Sequence, residues 1–508
     1  MVVKDRSQHG TGQSVKFLMN GEVYFGFLDR KPVVWDRWPV VFVHCDEALA
    51  GWTGAWSGAG MRVHAEEIVR RLREHGHEAV FAGGCVRDLL RGVEPHDYDI
   101  ATSALPAVVM SLFPHSLAVG AHFGVVIVRA GGHHFEVATF REDGDYGDGR
   151  HPDSVRFTTA VEDAQRRDFT INGLFLDPVQ GRVLDYVGGQ ADLSARVIRA
   201  IGDPQARFCE DRLRLMRAVR FATVLDFEIE EKTWQAVKAE APRLPLIATE
   251  RIRDEFVKTL VHPNRLRGFD LLCDSGLMAG IMPEILHLKG CDQPPQYHPE
   301  GDVFVHTRLM LSLLPVDVSV PLLLAVLLHD IAKPATRSWD EAAQRIRFNG
   351  HDRLGAEMAE DILRRLRFPN EVVTRATAMV AYHMAFINVQ QLRPAKLKRF
   401  MARETFADEL QLHRVDCLGS HGMLDNLEFL QAKAEEFSHE PLIPPRLVDG
   451  YDLMQLGVPQ GPALRGWLEE IQTRQLEGVL RTKEEALEWV REQTAAAGAS
   501  PKAAENAP

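Results

Sequence analysis

The stretch Phe81-Ala-Gly-Gly-Cys-Val-Arg-Asp-Leu-Leu90, followed by Asp97-Tyr-Asp99, decides the fold of this chain. A short apolar strand is predicted to run into Gly83-Gly84, and a helix to begin after it. Two glycines let the backbone approach a triphosphate closely, and the N–H groups at a helix start face anionic oxygens. Arg87 would add a charged donor. A Gly-Gly turn alone is weak support, because most such turns only connect elements.

Two carboxylates, Asp97 and Asp99, lie two positions apart shortly after this segment. Residues i and i+2 of a strand point to the same face, so the pair would repel unless a cation lay beside it. Mg²⁺ binds one or two carboxylates plus substrate phosphates, and two such ions support in-line phosphoryl displacement. An isolated Asp-x-Asp is also common in exposed turns. Glu136, on a later apolar strand, is either a third carboxylate of this site or a surface glutamate.

Two further segments combine arginines with an aspartate. In Arg166-Arg-Asp-Phe-Thr-Ile-Asn-Gly173 the paired arginines suit ribose and phosphate, with Asp168 orienting them. The segment Glu210-Asp-Arg-Leu-Arg-Leu-Met-Arg-Ala-Val-Arg-Phe221 is predicted to be one helix, on which Asp211 and Arg214 share a face. A salt-bridged surface helix is the alternative for this second segment.

An aspartate and an arginine on one face can select a nucleobase. Cytosine and adenine each present an amino donor beside a ring-nitrogen acceptor, whereas guanine and uracil present the reverse order. Asp211 would accept from the amino group while Arg214 donates to the ring nitrogen. One pair could therefore take C and A and reject G and U without a nucleic-acid template.

The amino-acid composition and net charge limit the classes of protein to which this chain can belong. The 508 residues are 45% hydrophobic and 26% charged, as in globular proteins of about three domains. A net charge of −12 means that any RNA contact must be a local basic patch. The six cysteines lack C-x-x-C spacing, which argues against a zinc cage or disulfide framework and favours a reducing compartment. The longest apolar run, near Val320–Leu328, is too short for a membrane span, and no signal peptide is predicted, so a cytoplasmic location is expected.

The pattern changes near Met61, where an amphipathic helical period begins. The apolar face of that helix is predicted to contain Ala65, Ile68, Val69 and Leu72. Strands are predicted at Ala79–Ala82, Val125–Val128 and Phe135–Thr139. From about residue 203 onward the pattern is almost entirely helical.

Together the four segments resemble the class II tRNA nucleotidyltransferase and bacterial poly(A) polymerase family, and the loop Phe140–Pro152 is similar to that family's flexible loop. The resemblance implies a polymerase-β-like head in which two Mg²⁺ ions are bound by Asp97 and Asp99. It implies nucleotide-binding roles for Gly83, Gly84, Arg87, Arg167, Asp168, Asp211, Arg214, Arg217 and Arg220. The family usually has arginine at His151, so one phosphate contact is expected to be weaker. It usually has alanine at Gly173, a difference expected to be harmless.

A second set of metal-ligand residues lies in the helical half. His306, the pair His329-Asp330, and Asp416 suit a divalent transition metal with mixed nitrogen and oxygen ligands, whose bound water could attack a phosphoester. The set resembles the HD phosphohydrolase domain found in some members of this family. His351 and His383 would line the site. A vestigial HD domain is the alternative.

The resemblance implies an α+β fold class, in which a polymerase-β-like nucleotidyltransferase head is followed by an all-helical neck, body and HD/tail region. The expected boundaries are an N-terminal extension at 1–60, the head at 61–200, the neck at 201–285, the HD domain at 286–440, a C-terminal tail domain at 441–495 and a disordered tail at 496–508. The extension would be disordered or a mis-assigned start, with a small extra subdomain as the alternative.

The function implied is addition of CCA, or of its C or A part, to the tRNA 3′ end from CTP and ATP, with no membrane association and no obligate protein partner. Poly(A) polymerase shares the head motifs, although Ala118–Val126 lacks the Gly-Arg-Arg-Phe sequence of that branch. An HD phosphohydrolase acting on RNA ends is a further alternative. Whether this chain adds the whole CCA sequence, only its C residues or only its A residue stays open.

Overall fold

The computed structural model describes residues 13–19, 22–28, 58–118, 123–144, 155–439 and 441–498. The chain divides into two compact units, Met1–Gly60 and Met61–Pro508. In the first unit, strands β1 (Gln13–Met19) and β2 (Glu22–Leu28) form an antiparallel hairpin. That residues 1–60 form an extension stays a prediction.

The second unit begins with a mixed α and β region. Its helices are α1 (Gly58–Glu74), α2 (Gly84–Leu90), α3 (Pro106–Leu112), α4 (Ala160–Gln165) and α5 (Gly189–Ala195). Its strands are β3 (Ala79–Ala82), β4 (Ile100–Thr102), β5 (Ser116–Leu117), β6 (Val125–Ala130), β7 (His133–Thr139), β8 (Arg141–Asp143), β9 (Val155–Phe157), β10 (Leu174–Asp177), β11 (Arg182–Asp185) and β12 (Val197–Ile198). The three strands predicted from the sequence are confirmed.

Seven strands form one sheet in the order β11-β10-β3-β4-β7-β6-β5. All neighbours are antiparallel except β4 and β7, where Ile100 pairs with Val137. The predicted apolar face of α1 covers one side of this sheet, and Ala65, Ile68, Val69 and Leu72 are at most 1% exposed. Helix α4 covers the other side through Ala160 and Ala164. Both faces of the central strand β3 are therefore buried.

The rest of the unit, as far as the structure describes it, is helical apart from three short strands. The helices are α6 (Pro204–Glu210), α7 (Leu213–Leu225), α8 (Glu231–Glu240), α9 (Thr249–Leu260), α10 (Arg265–Asp274), α11 (Leu277–Ile281), α12 (Pro283–Leu286), α13 (Val303–Leu313), α14 (Val320–Leu328), α15 (Lys333–Thr336), α16 (His351–Arg365), α17 (Asn370–Tyr382), α18 (Pro394–Met401), α19 (Phe406–Gly419), α20 (Asp425–Glu436), α21 (Gly450–Gln455), α22 (Pro462–Leu476) and α23 (Lys483–Gly498). The strands are β13 (Glu228–Ile229), parallel to β12, and the hairpin β14 (Ser338–Asp340) and β15 (Arg345–Arg347). The α+β class is confirmed.

A continuous apolar core runs through the helical part. Helix α14, the longest apolar run, is buried from Leu322 to Leu328 and packs in the same core as Phe169 and Val219. The Ser319 side chain accepts from the Leu322 N–H and so caps this helix. Among the helices that the structure describes, none has the length and apolar character of a membrane span.

Three expectations need correction. Asp97 and Asp99 precede strand β4 instead of lying in a strand. The segment from Glu210 to Phe221 is not one helix, because α6 ends before Asp211 and α7 begins at Leu213. Helix α23 continues to Gly498, three residues into the segment 496–508 that was expected to be disordered, and the remainder of that segment lies outside the described residues.

Close backbone contact holds the Arg166–Gly173 segment in place. A Cβ at Gly189, the first residue of α5, would lie 2.2 Å from the Thr170 carbonyl oxygen. A Cβ at Gly173 would lie 2.7 Å from Val187 Cγ2 and 3.1 Å from Ile201 Cδ1. The missing side chains therefore let α5 and Val187 pack directly on this segment.

We predict that Gly189→Ala lowers the free energy of unfolding by about 1–3 kcal/mol, because a backbone oxygen cannot move aside as a side chain can. The matched control is Gly466→Ala inside α22, where an added Cβ meets nothing within 4 Å. That control should stabilise the protein by up to about 1 kcal/mol. Urea denaturation of both variants measures the difference, and equal midpoints would contradict the close contact.

Candidate functional site

The Gly83-Gly84 turn joins the buried strand β3 to helix α2. Gly83 has φ 74° and ψ −127°, a conformation that favours glycine, and a Cβ there would lie 2.9 Å from Arg167 Nη1. Arg87 is buried in the following turn, and its Nη1 donates to Asn172 Oδ1 at 2.8 Å. Arg87 Nε also donates to Asp88 Oδ1 at 2.9 Å. The turn, Arg87 and the Arg167 side chain are thus brought to one place.

Three carboxylates lie in the region beside this turn and influence one another's charge. Tyr98 is 1% exposed, whereas Asp97 is exposed and Asp99 is half-buried. The parallel pairing of Ile100 with Val137 places Asp99 next to Glu136 on β7. Burial raises the pKa of Asp99 to about 7, with further contributions from Asp97 and Glu136.

The carboxylate group suits a divalent cation. Like-charged carboxylates of which one, Asp99, is half-buried are stabilised by an ion that takes oxygen ligands, as Mg²⁺ does. Arg167 acts in the opposite direction on Asp99 and lowers its pKa, but the net shift is upward. Asp97, Asp99 and Glu136 are the residues that would hold the ion.

Asp163, which the sequence analysis overlooked, fixes both arginines of the Arg166–Gly173 segment. Its buried carboxylate accepts from Arg166 Nη2 at 2.7 Å and from Arg167 Nη2 at 3.0 Å. Burial alone would raise the pKa of Asp163, but Arg167 and Arg166 outweigh it and hold the pKa below the usual value. The i, i+3 and i, i+4 spacing was the available signal.

Asp168 has another partner than the one expected. It does not orient Arg166 and Arg167 but pairs with Arg217 on α7, where the nearest nitrogen is 2.6 Å from Oδ2. Its Oδ1 accepts from the Phe169 backbone N–H at 2.8 Å and from Asn172 Nδ2 at 3.1 Å. Asp168 therefore ties the segment to helix α7.

Asp211 and Arg214 are close in sequence but have different partners. Asp211 accepts from Arg251 Nη2 at 3.1 Å and from the Leu213 backbone N–H at 3.1 Å. Arg214 Nη1 donates to Glu210 Oε2 at 2.7 Å, and Nη2 donates to the Arg166 carbonyl at 3.1 Å. Sequence reasoning missed Arg251, which lies 40 positions away and is brought in by α9.

Arg217 and Arg220, two more of the expected nucleotide-binding residues, lie beside one aromatic ring. Arg217 and Arg220 lie 5.1 and 4.2 Å from the Phe221 ring centre, and Arg87 lies 5.4 Å from it. Arg220 Nε also donates to Glu255 Oε2 at 2.6 Å. Cations over a ring face are attracted to it, so Phe221 collects arginines from α2 and α7. His151 and most of the Phe140–Pro152 loop lie outside the described residues.

The second predicted set also comes together. His306 Nε2 lies 3.1 Å from Asp416 Oδ1, and His329 Nε2 lies 3.1 Å from Asp330 Oδ2. Donor atoms of His306, His329 and Asp330 lie within 4.8 Å of one another. Within the described residues these side chains therefore form a buried nitrogen and oxygen donor set of the kind that binds a divalent transition metal.

Further groups orient these donors. His306 Nδ1 lies 2.7 Å from Glu300 Oε1, which turns Nε2 toward Asp416. Burial alone would lower the pKa of His306, but hydrogen bonds with Asp416 and Glu300 raise it to about 10. Carboxylates behind metal-binding histidines are usual in such sites. Glu300 is a second residue that sequence reasoning missed.

Comparison with known proteins gives matches along most of the chain. Sequence models match for the poly A polymerase head domain at residues 79–199, the probable RNA and SrmB-binding site of polymerase A at 226–288, and the HD domain at 303–412. A CCA-adding enzyme of Lactobacillus gasseri is 33% identical over 423 residues, which are 83% of this chain and 94% of the relative.

Other relatives match over a shorter part. A CCA-adding enzyme of Geobacillus sp. (strain WCH70) is 46% identical over 211 residues, so the match spans 52% of that relative's length and 41% of this chain. The crystal structure of the Bacillus stearothermophilus CCA-adding enzyme in complex with CTP superposes with a TM-score of 0.67 at 28% identity, covering 86% of this chain and 98% of that one.

The Asp163 pairs generate a prediction on stability and pH. Asp163→Asn should lower the free energy of unfolding at pH 7 by about 1.5–3 kcal/mol, because two charge-assisted bonds lose their charge. Since the folded-state pKa of Asp163 is depressed, its contribution is present above the unfolded value of about 4 and is lost as pH falls further.

The matched control is Asp226→Asn, which removes an exposed pair with Arg196 at 2.9 Å. That change should cost no more than about 1 kcal/mol. Urea denaturation at pH 7 and pH 3 measures both variants. A wild-type midpoint for Asp163→Asn at pH 7 would contradict the role given to this carboxylate.

Proposed function

This chain belongs to the family of CCA-adding enzymes, and on that basis we propose that it adds nucleotides to the tRNA 3′ end from CTP and ATP without a nucleic-acid template. The observation that carries the proposal is that the Arg166–Gly173 segment reaches both regions. Arg167 lies beside Gly83 and acts on the charge of Asp99, and the Arg166 carbonyl accepts from Arg214. The match to an enzyme crystallised with CTP supports the substrate.

In this proposal the head residues bind and align the substrate. Gly83, Gly84 and Arg87 receive the triphosphate, while Arg167 and Asp168 meet the ribose. Two Mg²⁺ ions held by Asp97 and Asp99, with Glu136 as the third carboxylate, would supply the activation of the 3′-hydroxyl and the stabilisation of leaving pyrophosphate. Asp163 keeps Arg167 pointed at this place.

Base choice is assigned to the neck. Asp211 accepts from the amino group of C or A, and Arg214 donates to the ring nitrogen. Arg251 donates to the Asp211 carboxylate, so the orientation of this carboxylate does not depend on the incoming base. Arg214 is anchored to Glu210 and to the Arg166 carbonyl, which keeps the selecting pair at a fixed distance from the head.

The location proposed is the cytoplasm. The five cysteines in the described part of the chain are all free, which suits a reducing compartment.

The decisive experiment uses tRNA transcripts that end before CCA, after C and after CC, each incubated with one labelled nucleotide at a time. We expect C or A to be added at the matching positions and no U or G. Asp97→Ala and Asp99→Ala should abolish addition, whereas the exposed control Glu78→Gln should retain it. A long A tail on all three transcripts would instead support a poly(A) polymerase.

Asp211→Ala should relax discrimination against UTP and GTP, and Arg214→Ala should weaken use of both CTP and ATP. Losing one hydrogen bond to a charged group changes relative kcat/KM by about 10- to 150-fold. Arg251→Ala should resemble Asp211→Ala with a smaller effect, while Arg253→Ala, on the same helix and paired with Asp254, serves as control. Unchanged preference for C and A in the Asp211 and Arg214 variants would place base selection elsewhere.

We propose a second activity for the HD region, metal-dependent hydrolysis of phosphoesters by the site of His306, His329, Asp330 and Asp416. The convergence of these four side chains supports it. Full-length protein should release product from 2′,3′-cyclic or 2′-phosphorylated nucleotides with nickel, manganese or magnesium. His329→Ala should abolish this activity, and Asp97→Ala should not. Metal-independent or His329-independent turnover would contradict the proposal.

A further inference from the structure

An exposed tyrosine lies at the edge of the histidine and aspartate donors of the HD region. Tyr297 is 46% exposed, and it directly precedes His298, whose ring centre lies 4.9 Å from that of His306. The activities described above give this tyrosine no role. An aromatic ring in contact with solvent can stack on a planar ligand, and a nucleobase is the commonest such ligand for an RNA-processing protein.

The loop that carries this exposed tyrosine is anchored at both ends. Before the tyrosine, the buried Gln293 side chain accepts from Lys333 Nζ at 2.6 Å, and the same Nζ lies 2.7 Å from Asp330 Oδ2. After the tyrosine, Glu300 Oε1 lies 2.7 Å from His306 Nδ1. Both anchors contact the donor set, so the residue between them is held at the rim of that set.

A hairpin holds the tyrosine ring from a second direction. Strand β14 follows α15, strand β15 precedes α16, and Asp340 pairs with Arg345 between them. Arg345 Nη1 donates to Tyr297 Oη at 3.2 Å, and its Cζ lies 5.8 Å from the ring centre. The far end of the hairpin leads to His351, whose Nε2 lies 3.4 Å from Asp330 Oδ1. The hairpin therefore starts and ends beside the donor set, as the loop does.

This arrangement fits a nucleotide better than a simple phosphoester. A base of any identity stacks on an aromatic ring, because every base has a π-face. Arg345 and the exposed Arg337, directly before β14, add positive charge that attracts phosphate oxygens. A phosphoester without a base would reach the donor set but gain nothing from the ring.

We propose that Tyr297 is the base-stacking residue of the HD region, and that it favours ribonucleotides with a 2′-phosphate or 2′,3′-cyclic phosphate over phosphoesters that lack a base. The inference rests on the proposed phosphohydrolase activity, of which it names the substrate class. Tyr297 would touch the substrate. Arg345 is a positioning residue, because it acts through the tyrosine ring.

The first test compares two substrates that differ in the base alone, adenosine 2′,3′-cyclic phosphate and methyl riboside 2′,3′-cyclic phosphate. Full-length protein is assayed with the divalent metal that supports turnover. Tyr297→Ala should raise KM for the adenosine substrate by about 5- to 150-fold, as expected for the loss of one base–aromatic stack. Its KM for the methyl riboside and its kcat for both substrates should not change. Tyr297→Phe retains the ring and should resemble the wild type.

The matched control is Trp339→Ala. Trp339 is 54% exposed, but it pairs with Ile346 and so lies on the face of the hairpin opposite to Arg345. This variant should keep the wild-type KM for both substrates. Arg345→Ala should raise KM for the adenosine substrate less than Tyr297→Ala does, and should have no further effect once Tyr297 has been replaced.

A second test measures binding apart from turnover. The probe is 8-azidoadenosine 2′-phosphate, photolysed with the full chain in the presence of a chelator, and labelled peptides are identified by mass spectrometry. We expect label on the peptide that contains residue 297 in the wild type and in Trp339→Ala, and none there in Tyr297→Ala. Label on head peptides should be equal in all three proteins.

The outcomes separate the inference from the activity on which it rests. Turnover with the same KM for both substrates, or an adenosine KM unchanged by Tyr297→Ala, overturns the role of the tyrosine and leaves the phosphohydrolase standing. A KM raised by Trp339→Ala and not by Tyr297→Ala also overturns it. Labelling at residue 297 without turnover supports the nucleotide site and overturns the hydrolysis. Neither labelling nor turnover overturns both.

Discussion

The buried charge of Asp168 is the constraint on which the nucleotide site depends. Burial alone would raise the pKa of this carboxyl, but Arg217, Asn172 and Arg214 hold it below the usual value, so the group stays ionised. An ionised carboxylate left unpaired in such a place would cost several kcal/mol. Arg217 must therefore remain beside it, and α7 cannot move away from the head segment without breaking this pair.

Other contacts depend on that fixed position. Because α7 is held by Asp168, Arg214 reaches the Arg166 carbonyl and Phe221 lies under Arg87. The turn at Gly83 and the carboxylate of Asp211 are thus coupled through one helix. Arg251 completes the arrangement from α9, so that the helix junction at Asp211 has contacts on both sides.

Much of the fold and part of the site could be predicted from the sequence, because the signals were local. The period of α1 and the strand at Ala79–Ala82 follow from the positions of apolar residues, and each motif is a short run of neighbouring residues. The break at Asp211 was missed because the residues on both sides have helical spacing. Only the Leu213 N–H contact shows that Asp211 stabilises the start of a new helix.

Contact partners that are distant in the sequence could not be predicted, for a different reason. Nothing near Asp211 indicates Arg251, and nothing near Asp330 indicates that His351 and His383 meet at 3.1 Å. Such contacts depend on how whole helices pack. Asp163 on α4 is the exception, since its spacing of three and four positions from Arg166 and Arg167 was visible in the sequence.

The packing of Val187 against Gly173 bears on how this chain can change over time. The resemblance to the family implies alanine at position 173, yet here a Cβ would lie 2.7 Å from Val187 Cγ2. Positions 173 and 187 are therefore epistatic: which residue is tolerated at 173 depends on the side chain at 187. We expect alanine at 173 to be tolerated better when residue 187 is smaller than valine, so the effect of either substitution on stability depends on the other.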